Sequence, residues 1–325
     1  MSKYKVAVVG PIPRDHIVTH RNEVFEKYGC VTHTSIALSK LLQDDGTVFP
    51  VTHIRKKDEK PILEIFESYE NIEESHISSK ADRGDVINLT FVDQNKRLEK
   101  QVAFMTPIVP EDFEGLLDCD AFVFVPVTNF EVPLGTLQYL KENSDGLIIF
   151  DAHGPTNALA ITGDRLMKFW VERDLWLPYI DILKMNLEEA YCSWFEREYT
   201  LEELQADAEI RKEEIPLFAK HCLSKGLKAL FVTVDSDGVL CYWMEDGEMK
   251  EELVPSIFMD HVVQTTGCGD SFAGGLAYGI LKDRLNYSYA AKYGNAMGAQ
   301  RTQGKTFDVF KSREETDQMI ADTYG

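Results

Sequence analysis

Short apolar runs alternate with amphipathic ones along most of this chain, and that alternation leaves few folds open. Lys5 to Gly10 reads as a buried strand, and similar runs recur at Val48–Ile54, Ala121–Val127, Leu147–Asp151, Ile180–Met185 and Ala229–Val234. Helical spacing fills the intervals, as in His33–Leu42 and in Ile62–Tyr69. Such an order implies an α/β fold, a three-layer sandwich whose mostly parallel central sheet carries helices on both faces. Ligands of such sheets bind beyond the carboxyl ends of the strands. Gly10–Asp15, Asp151, Asn186–Glu189 and Val234–Gly238 all follow predicted strand ends, so they are expected to converge on one cleft. One region breaks the pattern. Ile87 to Asp93 alternates strictly, Gln94-Asn95-Lys96 supplies a turn and Leu98–Phe104 returns. This reads as a hairpin that, with Ile17–Thr19, builds a small projecting sheet; an ordinary edge hairpin is the plainer alternative.

The chemistry concentrates in Gln264-Thr265-Thr266-Gly267-Cys268-Gly269-Asp270-Ser271-Phe272-Ala273-Gly274-Gly275. A glycine turn feeds the first turn of a helix, whose free N–H groups and dipole form an anion site. Gly267 and Gly269 let the backbone approach an oxyanion, because no Cβ intervenes. A carboxylate at 270 would repel that anion, yet it makes sense as a base for a hydroxyl attacking a bound phosphoryl group. A helix cap by Asp270 explains the same residues. Two other nucleotide motifs fail. A dinucleotide fingerprint needs glycine where Phe272 stands, and Gly298 to Thr306 has five residues between its glycines where a P-loop needs four.

The stretch resembles the signature of the ribokinase-like carbohydrate kinases, the phosphofructokinase B family, at Thr265, Gly267, Gly269, Asp270, Phe272 and Gly274. Other elements similar to that family follow in its order. Asp15 stands where the family keeps a substrate-binding aspartate, Asn186-Leu187-Glu188-Glu189 resembles its N-x-x-E motif, and Thr233 to Gly238 its T-x-G-x-x-G turn. Asn295 resembles the asparagine beside the adenine. The resemblance implies a single kinase domain over residues 1–325, with a lid from about 12–20 and 86–106. It also implies ATP as co-substrate, Mg²⁺, a sugar-like acceptor and a homodimer. Asp270 would be the general base, and the N–H groups of Gly267, Cys268 and Gly269 the anion hole. Asp15, Gly29 and His33 would bind substrate; Asn186, Thr233, Asp235, Gly238 and Asn295 the nucleotide; and Glu189, through water, the metal. Asn186 and Glu189 also read as a capping box, which is compatible with that role. Lys184, two residues before Asn186, could reach a phosphate oxygen, although isolated lysines at strand ends are more often solvated.

The chain departs from the family at the edges of this machinery. Tyr28 replaces a glycine and would fill sugar space or reach another hydroxyl; His33 replaces an asparagine; Asp235 replaces a glycine. Gln264 replaces the aspartate that helps bind potassium, so potassium activation is expected to be weak. Cys268 replaces alanine; a thiol in the first helical turn tends to a lowered pKa, and a buried small residue is the equal alternative. A nucleoside kinase and a non-catalytic nucleotide- or sugar-binding regulator are the competing readings.

Composition narrows the partners. A net charge of −20 disfavours nucleic acids and anionic membranes, both polyanions. Six scattered cysteines, with no C-x-x-C pair, and no apolar run of membrane-spanning length lead to the expectation of a reduced, cytoplasmic protein. The N-terminal residues enter a strand too soon for a signal peptide. The acidic stretch Thr200–Lys225 reads as a solvated helical pair.

Overall fold

The structure, a computed structural model, describes residues 3–92, 97–205 and 212–325. Its strands are β1 (Tyr4–Val9), β2 (Arg14–Val18), β3 (Val24–Tyr28), β4 (Gly46–His53), β5 (Ile77–Ser78), β6 (Val86–Phe91) and β7 (Arg97–Ala103). There follow β8 (Ala121–Phe124), β9 (Leu147–Asp151), β10 (Asn157–Leu159), β11 (Arg165–Met167), β12 (Ile182–Asn186), β13 (Ala229–Thr233), β14 (Val239–Glu245) and β15 (Glu248–Val254). A nine-stranded sheet has the order β15-β14-β13-β12-β9-β8-β1-β4-β5. From β5 to β13 its pairs are parallel, and β14 and β15 close one edge antiparallel.

The apolar runs are continuous because both faces of this sheet are covered. Val6 and Val8 enter one core with Leu147, Ile149 and Phe231, while Ala7, Val9, Ile148, Phe150 and Val232 enter the other. The first core is roofed by the helices Val31–Leu42, Cys268–Lys282 and Tyr287–Arg301, the second by helices that include Leu134–Asn143 and Ile215–Ser224. Burying one such aliphatic side chain stabilises the fold by roughly 1.5–3 kcal/mol.

A separate four-stranded sheet has the order β3-β2-β6-β7, with β2 parallel to β6 and the other pairs antiparallel. The alternation in β6 is real: Ile87 and Leu89 are buried while Thr90 is exposed. The expected Gln94–Lys96 turn lies outside the described residues. In the acidic stretch, helices Leu201–Gln205 and Ile215–Ser224 are formed, and Asp207 and Glu209 lie outside the described residues. Among the described residues no helix is long and apolar enough to cross a membrane.

Candidate active site

Where the small sheet faces the strand ends of the large one, a cavity of about 250 Å³ opens. Asp15, Gly29 and His33 line it together with Asp151, Lys184, Asn186, Glu189, Gly267, Gly269 and Asp270. The expected convergence of strand ends is therefore met at Asp15, Asp151 and Asn186–Glu189. A larger, more open groove of about 480 Å³ beside Lys40, Tyr69 and Lys311 carries none of these groups.

The helix Cys268–Lys282 begins beneath this cavity. Its N-cap is Gly267, in the left-handed region at φ 84°, with no side-chain cap. Asp270 sits in the first turn beyond that cap and so does not cap the helix. Burial, then the nearby Asp151 charge, pushes its carboxyl up to about 6, although Lys184 and Arg301 oppose the shift. The Cys268 N–H donates to Thr265 O at 3.1 Å, closing the turn. It is thus already engaged, a correction to the expected donor set of Gly267, Cys268 and Gly269. For the Cys268 thiol the buried alternative holds. Burial raises it to about 11, overriding the helix terminus that favours a thiolate.

Lys184 and Asp151 form a buried ion pair, Nζ to Oδ2 2.7 Å. A Cβ on Gly269 would lie 3.1 Å from Lys184 Nζ, so this ammonium overhangs the helix start. Asn186 accepts from the Glu189 N–H at 2.8 Å, and Glu189 Oε2 accepts from the Asn186 N–H at 2.8 Å, a complete capping box. Glu189 Oε1 also accepts from Asn186 Nδ2 (3.1 Å) and from His153 Nδ1 (2.8 Å). Among the described residues no three His, Cys, Asp or Glu side chains form a metal cluster. Glu189 beside Asp151 nevertheless fits hydrated Mg²⁺, because carboxylate oxygens keep lone pairs for metal-bound water.

On the acceptor side, Asp15 is 7% exposed, and a Cβ on Gly29 would approach its Oδ2 to 3.3 Å, so Gly29 keeps this space open. His33 is buried with its ring against Phe307 and directly under Gly267, whose Cβ would meet Nε2 at 2.6 Å. Burial, with Arg301 and Lys27 nearby, holds His33 well below its ordinary pKa. Tyr28 turns away from the cavity and donates to Asp58 Oδ1 at 3.1 Å. Its bulk therefore does not fill the sugar space, a correction to the sequence expectation.

The expected nucleotide residues lie at one side. Thr233 is paired in register with Asn186, so the turn containing Asp235 starts beside the cavity. Gly238 packs so closely on Val254 O that a Cβ would stand 2.1 Å from it. Asn295 is buried, and its Nδ2 donates to Val254 O (3.2 Å), Pro255 O (2.9 Å) and Tyr324 Oη (3.1 Å). Gly238 and Asn295 thus gather around the end of β15, and neither they nor Thr233 and Asp235 line the cavity.

Behind the glycine turn, Lys27 Nζ donates to Gln264 Oε1 at 2.6 Å. Burial, then Arg301 and Lys305, lowers the Lys27 ammonium to about 8. With fixed cations already there, exchanging Na⁺ for K⁺ at constant ionic strength should change turnover by less than about twofold. A several-fold, K⁺-specific rise would refute this.

Nothing in the sequence pattern marks His153 and Arg165, which also line the cavity. His153 follows the end of β9, a position where ligands bind in such sheets, and that was the available signal.

The architecture is ribokinase-like. The chain superimposes on a ribokinase of Arabidopsis thaliana complexed with ribose and ATP, at TM-score 0.72 and 16% identity over 98% of this chain and 99% of that one. It likewise matches a pyrophosphate-dependent kinase of the ribokinase family complexed with a pyrophosphate analogue and myo-inositol, at TM-score 0.71 and 18% identity over 96% and 99%. In sequence, 104 residues are 35% identical to 2-dehydro-3-deoxygluconokinase of Bacillus subtilis (strain 168), covering 32% of this chain. That match spans 31% of the relative's length. Residues 154–307 match the family described as pfkB family carbohydrate kinase.

Proposed function

We propose that this protein is a phosphotransferase that moves a phosphoryl group from ATP to a hydroxyl of a sugar or sugar derivative. The observation that carries this reading is Asp270, held near pKa 6 in the first turn of the helix whose start Lys184 overhangs. A binder has no use for a carboxylate beside an anion, whereas phosphoryl transfer needs a base there.

In this mechanism Asp15 accepts hydrogen bonds from acceptor hydroxyls and aims one at the donor. Asp270 takes that hydroxyl's proton as the oxygen attacks in line. The N–H groups of Gly267 and Gly269, with Lys184, stabilise charge on the transferring group. Glu189 and Asn186 hold the donor side. Mg²⁺, when bound, neutralises charge on the donor phosphates.

A donor without a base, pyrophosphate, is the second reading. It is favoured by Asn295, whose amide is bonded to three protein acceptors instead of facing a base, and by the similar pyrophosphate-dependent kinase. The test is phosphorylated-product formation from Mg·ATP or Mg·pyrophosphate with sugars, polyols, 2-dehydro-3-deoxygluconate and nucleosides. Turnover with a nucleoside alone would favour the nucleoside-kinase alternative, and none with any pair would leave the regulator.

Once an acceptor is known, Asp15→Ala should raise its KM about tenfold or more while leaving the donor KM nearly unchanged. Losing a hydrogen bond to a buried charge costs about 1.5–3 kcal/mol. An unchanged acceptor KM would remove Asp15 from the substrate side.

A further inference from the structure

The β10–β11 hairpin crosses from the large sheet to the small one. The Gln101 N–H donates to Gly163 O at 2.8 Å, and Lys100 pairs with Asp164 at 3.0 Å, so the hairpin is docked on β7. It carries Arg165 into the cavity wall with 9% of its side chain exposed. Arg165 Nη1 donates to Glu99 Oε2 of β7 at 2.8 Å. Nη2 donates to Val127 O at 3.0 Å and to His153 Nε2 at 2.8 Å. Because a guanidinium can only donate, Nε2 is the acceptor, and the ring hydrogen on Nδ1 donates to Glu189 Oε1 at 2.8 Å. An unbroken path therefore runs from Glu99 through Arg165 and His153 to Glu189 and Asn186. The planar guanidinium holds these partners in fixed directions, whereas an ammonium is a point charge on a flexible stem.

We propose that Arg165 is a positioning residue that couples the four-stranded sheet to the donor side of the cavity through His153 and Glu189. The proposal rests on the donor-binding reading above. When a donor phosphate engages beside Glu189 and orders it, His153 is ordered, and the rigid fork of Arg165 passes that order to Glu99 and β7. The small sheet is then drawn down on the acceptor side when the donor is present, and water is excluded from the cavity. Such coupling needs a contiguous set of bonded groups and an element that responds, here β7.

Hydrogen exchange on the full chain tests this with two non-transferable probes, the Mg²⁺ complexes of imidotriphosphate-type ATP analogue and of imidodiphosphate. In the wild type a bound probe should slow exchange about tenfold both at residues 265–272 and at 97–103. In Arg165→Met the protection at 265–272 should remain, and that at 97–103 should fall to within about twofold of the probe-free protein. Arg165→Lys, which keeps the charge and guards against misfolding of the first variant, should not restore it. A merely structural arginine would change β7 exchange equally with and without probe. Undiminished probe-induced protection of β7 in both variants, or full restoration by lysine, would overturn the coupling. If neither probe protects 265–272 in the wild type, the donor reading itself fails, and this proposal with it.

Discussion

Asp270→Asn is expected to lower kcat by about 10²–10⁴, the usual contribution of a positioned base, and at the same time to make the protein more stable above pH 6. The two effects share one cause. Burial raises the Asp270 carboxyl from 3.8 to about 6, so between those values the native state binds more protons than the unfolded one. Stability must then fall as pH rises through this window, and the full cost is present above about 6. A shift of about two units corresponds to roughly 3 kcal/mol. Asparagine has no charge to desolvate, so the variant should melt several degrees higher than wild type at pH 8 and gain nothing at pH 3. In the wild type kcat/KM should rise with pH, reach half its plateau near 6 and level off about one unit higher, as the base ionises. Near-normal turnover in Asp270→Asn would sink the mechanism, and a pH-independent difference in melting temperature would sink the account of the buried charge.

The elements that were legible in the sequence are those whose surroundings repeat. β9 is covered on both faces, so Leu147–Asp151 is apolar throughout and its bounds could be read directly. The glycine turn before Cys268 and the Asn186 capping box were legible because each is a local solution to unsatisfied helix donors. What depends on distant packing was not. β3 contains Glu26 and Lys27 and has an exposed face, so no apolar pattern announces it. β10 and β11 have three residues each, too few for periodicity, and Arg165 stayed hidden with them. Tyr28 looked like a substrate contact because its true partner, Asp58, is thirty positions away. For Cys268 a local rule, the helix terminus, predicted a lowered pKa, and burial by the tertiary fold reversed the sign.

Gly267→Ala should be nearly as damaging as loss of the base, for steric reasons visible only in the fold. The residue has φ 84°, where a side chain is strained by about 1–2 kcal/mol. The larger problem lies below it. A methyl group would stand 2.6 Å from His33 Nε2 and 2.7 Å from two carbons of the same ring. That ring cannot retreat, because His33 is 3% exposed and packs on Phe307 at 5.0 Å between centroids. The glycine turn must move instead, and the N–H groups at the helix start then miss the transferring phosphate. Loss of one such donor costs about 10²–10³ in kcat, with a smaller change in acceptor KM because Asp15 lies on β2, away from this turn. His33→Ala in the same chain removes the collision but keeps the strained backbone, so the double variant should recover part of the lost turnover. That non-additivity is what two residues in contact produce. If Gly267→Ala keeps turnover within a few-fold of wild type, or if the double variant is no faster than the single one, His33 does not set the height of the anion hole.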